Sequence, residues 1–207
     1  GAGGVPALRV APRSPGGTVF PPPPVRLMMT VYTIGHGNRA IEEFAGLLRE
    51  AAIDCLVDVR AYPASRRHPQ FARAALEDSL AGGGIRYVWE GKSLGGRRKA
   101  APESPHIALR SPGFRAYADH METEDFRAGL GRLLELAGAA RTAVMCAERL
   151  PWECHRNLIS DSLVARGVRV LHLVGPGERR EHALSPAARK DGERLIYDAG
   201  EQLGLRL

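Results

Sequence analysis

From Thr30 to Leu173, short β-branched apolar runs alternate with segments whose apolar residues recur at helical spacing. Thr30–Ile34, Cys55–Val59, Ile85–Trp89, Thr142–Cys146 and Val168–Leu173 read as five strands. Between them, Ile41, Phe44, Leu47, Leu48 and Ala51 share one face of a predicted helix. Phe71–Ala81 reads as a second helix closed by Gly82-Gly83-Gly84, and Phe114–Met121 and Phe126–Ala139 as two more. Pro151–Arg166 is predicted as a helix with proline in its first turn, stopped at Gly167. Strands separated by helices require crossover connections, which are right-handed and build a parallel sheet covered on both faces. The expected fold is α/β: a mainly parallel sheet of about five strands with helices on both faces, a Rossmann-like three-layer arrangement.

Two stretches fall outside this pattern. Residues 1–27 contain twelve Gly or Pro, including Pro21–Pro24, and cannot offset their ordering entropy by apolar burial. They are expected to be a disordered or non-native leader, with residues 28–207 forming one domain. Gly91–Pro112 is a long Gly-, Pro- and Lys/Arg-rich connection, of the kind that is usually functional or mobile. Gly175–Leu207 has no clear period and is compatible with helix, hairpin or lid.

In α/β sheets, ligands bind beyond the carboxyl ends of the strands. The predicted strand ends here carry ionisable groups in unusual number: His36 after the first strand, Asp58 and Arg60 at the second, Glu90 and Lys92 after the third, Cys146 and Glu148 at the fourth, and His172 within the fifth. That convergence predicts a site. Asp58 and Arg60 share one side of their strand and are expected to pair.

The segment Cys146–Arg156 carries most of the chemistry. It runs from a strand end into a helix start, where backbone N–H groups favour anions and lower thiol pKa values. Glu148 is the candidate general base, with Asp58 as its alternative and His36 assisting proton transfer. Cys146 is alternatively a thiol nucleophile. Cys154 and His155 are adjacent, an awkward spacing for one metal ion, and no CxxC occurs. No metal or cofactor is assigned, and Cys146, Cys154, His155 and Arg156 are taken as substrate-binding residues. An odd count of three cysteines points to a reducing compartment, so a cytoplasmic location is expected.

Charge is concentrated rather than spread. Residues 60–118 hold eleven Lys or Arg against four acids, between mildly acidic flanks. Arg66, Arg67, Lys92, Arg97, Arg98 and Lys99 are candidate phosphate contacts. Among the interleaved aromatics, Tyr62 and Trp89 are the candidate stacking surfaces, with Arg60 as an anion-binding neighbour. The expected partner is nucleic acid, DNA before RNA, or a nucleotide. No apolar run is long enough to span a membrane.

Four motifs in order carry a family resemblance: Thr33-Ile34-Gly35-His36; Leu56 through Pro63 (Leu-Val-Asp-Val-Arg-Ala-Tyr-Pro); Leu94-Gly95-Gly96; and Cys146-Ala147-Glu148 followed by Pro151 and Cys154-His155-Arg156. From about Val31 to Val174 the chain resembles the DUF488 family. A departure is Gly37-Asn38, where Ser or Thr before Asn is the family's habit. The resemblance implies an α/β fold and marks His36, Asp58, Arg60, Cys146, Glu148, Cys154, His155 and Arg156 as signature positions. It implies no reaction.

The residues favour an enzyme acting on a nucleic-acid base or nucleotide, most simply by N-glycosidic hydrolysis. A sulfurtransferase- or phosphatase-like thiol enzyme using Cys146 and a non-enzymatic nucleic-acid-binding module are the alternatives.

Overall fold

The structure is a computed structural model and describes residues 29–99 and 101–198. The leader expected at 1–27 lies outside the described residues. Five strands form a parallel sheet: β1 (Thr30–Gly35), β2 (Cys55–Asp58), β3 (Arg86–Trp89), β4 (Thr142–Cys146) and β5 (Arg169–Gly175). A sixth strand, β6 (Glu178–Glu181), adds antiparallel to β5 and gives the order β3-β2-β4-β1-β5-β6. The ambiguous tail also supplies a separate antiparallel pair, β7 (Ala188–Asp191) and β8 (Arg194–Tyr197).

Alternate residues of the central strands feed two apolar layers, as period-two side-chain geometry requires. On one face Ile34, Leu56 and Met145 pack with Phe44 and Leu48 of α1 (Ile41–Glu50) and Leu76 and Leu80 of α2 (Arg73–Ala81). On the other, Val31, Val57 and Val144 meet a second group of helices. These are α4 (Pro112–Met121), α5 (Glu124–Ala139) and α6 (Arg156–Ala165), which bring Tyr117, Leu130 and Leu158. The three-layer α/β architecture follows. The long connection after β3 is not featureless: a single helical turn, α3 (Gly91–Leu94), opens it. The helix expected at Pro151 divides into a 3-10 turn, Pro151–Glu153, and α6, with Cys154 in extended backbone between them.

The connection after β2 leads to α2 on one face, while that after β4 leads to α6 on the other. Neighbouring strands β2 and β4 therefore part company at their carboxyl ends, and a crevice opens between them. Among the described residues, no helix is long and apolar enough to cross a membrane.

Candidate active site

A cavity of about 400 Å3 occupies that crevice. Arg60, Ala61, Tyr62 and Ala64 line it from the segment after β2; Cys146, Ala147 and Glu148 from the end of β4; Gly96 and Arg97 from the loop after α3; and His155 from the start of α6. Close backbone packing holds these segments together. A Cβ on Gly35 would lie 1.8 Å from the Glu148 carbonyl oxygen, so glycine lets the Glu148–Arg149 turn rest on β1. A Cβ on Gly95 would lie 2.9 Å from Ala61 Cα, which explains how the Leu94-Gly95-Gly96 motif seats its loop against the end of β2.

Asp58 is fully buried, and its carboxylate is occupied. Arg60 Nε donates to Oδ1 and Oδ2 at 2.9 and 3.0 Å, its terminal nitrogen to Oδ2 at 2.6 Å, and the Tyr87 hydroxyl to Oδ2 at 2.7 Å. The pair expected from sequence is present, and this saturation makes Asp58 the anchor of Arg60. His36 lies behind the same arginine, with Nε2 3.5 Å from the guanidinium and the ring stacked on Phe71 at 4.3 Å. Burial, helped by Arg60, lowers its pKa to about 4, so the ring is neutral and donates from Nδ1 to the Gly37 carbonyl at 2.9 Å. Neither Asp58 nor His36 lines the cavity; of the three proposed catalytic groups, Glu148 does.

Cys146 and His155, which line the cavity, converge with Cys154, which lies behind its lining, and the ligand-capable atoms of the three are all within 4.8 Å of one another. Cys154 sits in extended backbone and His155 in helical backbone, so these adjacent residues turn both side chains to one point. His155 Nε2 donates to the Val59 carbonyl at 3.1 Å, which leaves Nδ1 as an acceptor 3.8 Å from Cys146 Sγ and 3.7 Å from Cys154 Sγ. The Cys146 thiol donates to Glu148 Oε2 at 2.8 Å. Arg156 is buried; its backbone N–H and its Nε both reach Cys154 Sγ at 3.4 Å, and a terminal nitrogen donates to the Glu148 carbonyl at 2.6 Å.

Burial pushes both thiols up. At Cys154 that push is outweighed by the Cys146 thiol, the His155 ring and the Arg156 guanidinium, which hold it well below an ordinary cysteine. At Cys146, burial, then the Cys154 sulfur and the Glu148 carboxylate hold it well above.

The remaining predicted residues separate into two groups. Tyr62 is 72% exposed and lines the cavity with the Arg97 guanidinium 5.9 Å from its ring centroid. Trp89 is turned away: its indole N–H donates to the Arg60 carbonyl at 2.9 Å and Arg73 covers its ring at 5.4 Å. Arg98 braces its own loop by donating to the Gly95 and Lys92 carbonyls at 2.8 and 2.7 Å. Arg66, Arg67, Lys92 and Lys99 are exposed and lie outside the cavity lining. Glu90 of the expected rim pairs instead with Arg132 of α5 at 2.8 Å.

A family model described as "Domain of unknown function DUF488" matches residues 40–163, more than half of the chain. The chain belongs to the DUF488 family. The matched span of this DUF488 domain includes every cavity-lining residue, whereas the Thr33–His36 motif precedes it. No curated protein and no solved structure matched the chain.

One buried network beside the DUF488 site escaped the sequence reading. Arg156 reaches Thr33 Oγ1 at 3.5 Å, Thr33 Oγ1 meets His172 Nδ1 at 2.7 Å, and His172 Nε2 meets His182 Nδ1 at 3.0 Å. His182 Nε2 then meets Asp161 Oδ1 at 2.9 Å. His172, taken from sequence as a rim residue, is an internal link in this chain. The polar Ser160-Asp161-Ser162 run inside an otherwise apolar helix was the available signal: a buried carboxylate demands partners.

Proposed function

We propose that the crevice between β2 and β4 is the active site of an enzyme acting on a nucleic-acid base or nucleotide, with Glu148 as the group that takes a proton from the attacking water. The observation that carries this reading is that Glu148, Tyr62 and Arg97 line one cavity. An exposed aromatic ring offers a stacking surface, a neighbouring guanidinium offers a phosphate contact, and the carboxylate shares the cavity with both. Asp58 and His36 serve as positioning residues that fix Arg60. In N-glycosidic hydrolysis the water oxygen bonds to the sugar C1′, one of its protons passes to Glu148, and the base leaves with the C–N electron pair and takes a proton from solvent. DNA is the preferred polymer on the notion that an extruded or single-stranded base fits such a cavity. The exposed Arg66, Arg67 and Lys99 extend the positive surface beyond it. The hydrolase, DNA-binding and repair role are parts of this proposal, as is a cytoplasmic location.

The test is incubation with labelled single- and double-stranded oligonucleotides carrying normal, deaminated, oxidised and alkylated bases, followed by alkali treatment and strand sizing. Cleavage at a modified base, lost in Glu148→Gln while binding persists, is expected. Binding without product in every case would favour a non-enzymatic binding module.

A second reading is favoured by the sulfur pair: Cys146 as a thiol nucleophile of sulfurtransferase or phosphatase type, with His155 Nδ1 3.8 Å away as proton acceptor. It predicts rapid alkylation of Cys146 well below pH ~8.5 and a covalent substrate adduct on its sulfur. Its high pKa direction stands against it.

A further inference from the structure

We propose that Cys146, Cys154 and His155 form a binding site for a divalent cation of the zinc class, with a fourth position open to the cavity. Thiolate and imidazole donors suit such ions and reject magnesium and calcium, which prefer oxygen. With metal–sulfur and metal–nitrogen bonds of about 2.3 and 2.0–2.1 Å, a tetrahedral centre places sulfur and nitrogen about 3.6 Å apart. His155 Nδ1 stands 3.8 and 3.7 Å from the two sulfurs, and all three ligand atoms fall within 4.8 Å of one another. The donors are therefore already spread around the space an ion would fill.

The surroundings match the way proteins orient metal ligands. A ligating histidine usually donates its other ring nitrogen to a carbonyl or carboxylate, and His155 does so to Val59 at 3.1 Å. The N–H donors on a ligand sulfur are present as well: the Arg156 backbone and Nε at 3.4 Å from Cys154. Three protein ligands with an open side mark a catalytic rather than a structural centre. Here Cys146 and His155 both line the cavity, so the open side faces it. Glu148, whose Oε2 lies 2.8 Å from Cys146 Sγ, stands at its edge. Binding releases the thiol protons to solvent. A water at the fourth position is acidified and passes its proton to Glu148, a role that rests on the reading given under Proposed function. The binding site itself does not depend on that reading.

The full chain, freed of metal by chelator under reducing conditions, is titrated with cobalt(II). The expected result is a thiolate-to-cobalt charge-transfer band in the near ultraviolet and intense visible bands of tetrahedral cobalt, saturating at about one ion per chain. Cys154→Ser and His155→Ala lose these bands, whereas Glu148→Gln keeps them even if it abolishes turnover. A second measurement needs no variant: zinc chloride slows alkylation of Cys146 and Cys154 in the native protein, mapped by mass spectrometry, while magnesium chloride does not. Absence of the bands together with unprotected thiols overturns the proposal. So does a Cys146–Cys154 disulfide that persists under reduction, or cobalt bands unaffected by Cys154→Ser. Bands and protection with no turnover on any base would leave the metal site standing and sink the nucleotide reading.

Discussion

The Nε2 of His155 donates to the Val59 carbonyl across 3.1 Å, and this bond decides what the ring can do. It ties the start of α6 to the end of β2 and turns the free Nδ1 lone pair toward Cys146 and Cys154. Main-chain geometry at one strand end thereby sets the chemistry at its neighbour.

Removing the anchor of Arg60 will be costly. Asp58 is fully buried beneath the guanidinium and the Tyr87 hydroxyl, so Asp58→Ala leaves a buried cation unpaired. Urea denaturation is expected to show a loss of about 3–5 kcal/mol. Tyr87→Phe, which removes one hydrogen bond to a charged acceptor, should cost about 1.5–3 kcal/mol. Equal and small effects would mean that Arg60 finds another partner.

Stability should fall on the acid side for a specific reason. Burial lowers the pKa of His36 to about 4 and, with His182, that of His172 to about 3, against 6.5 for an ordinary imidazole. Between these folded values and 6.5 the unfolded chain binds more protons. Stability therefore rises with pH through this window and the histidine contribution is constant above it. Thermal melts from about pH 7 to 4 should show Tm falling as pH falls, with a shallower slope in His36→Gln. An identical slope in that variant would contradict the assignment to His36.

Two glycine substitutions should have opposite signs. Gly35→Ala brings Cβ to 1.8 Å from the Glu148 carbonyl, backbone against backbone, and must displace the turn that presents Glu148. It should cost about 1–3 kcal/mol or more and reduce activity. Gly46 lies within α1 with nothing inside 4 Å of its added Cβ. Gly46→Ala should stabilise by about 0.5–1 kcal/mol, read from the same denaturation curves.

Much of the fold was legible because each central element carries its own period. Val31, Leu56 and Val144 lie in apolar β-branched runs, and Phe44, Leu47 and Leu48 mark one helical face. The strand β6 was not legible: all four residues of Glu178-Arg179-Arg180-Glu181 are exposed, and only its pairing with β5 makes it a strand. Glu148 and Cys146 could be placed because a strand end is a local property. The convergence of Cys154 and His155 could not, since it requires a 3-10 turn, an extended residue and a helix start in succession. Trp89 misled for a tertiary reason: Arg73 covers its ring and the Arg60 carbonyl takes its N–H.

If nucleic acid is the partner, the exposed arginines should report it through salt. Each lost phosphate contact lowers the slope of log K against log salt by about 1. Arg66→Ala, Arg67→Ala and Lys99→Ala are expected to weaken binding similarly for all sequences, by fluorescence anisotropy at several salt concentrations. Arg97→Ala should weaken it further, because its guanidinium also covers Tyr62 inside the cavity. Slopes unchanged in all four variants would place the binding surface elsewhere.

The most direct measurement compares turnover and binding in Glu148→Gln and the unaltered protein, on the modified-base oligonucleotide that yields product, in matched samples. With Glu148 as the proton acceptor, kcat is expected to fall by about 10²–10⁴-fold, the usual contribution of such a group, while Kd stays within about twofold. Turnover preserved in Glu148→Gln, or a loss of binding equal to the loss of turnover in a folded variant, would contradict the role of Glu148 as proton acceptor.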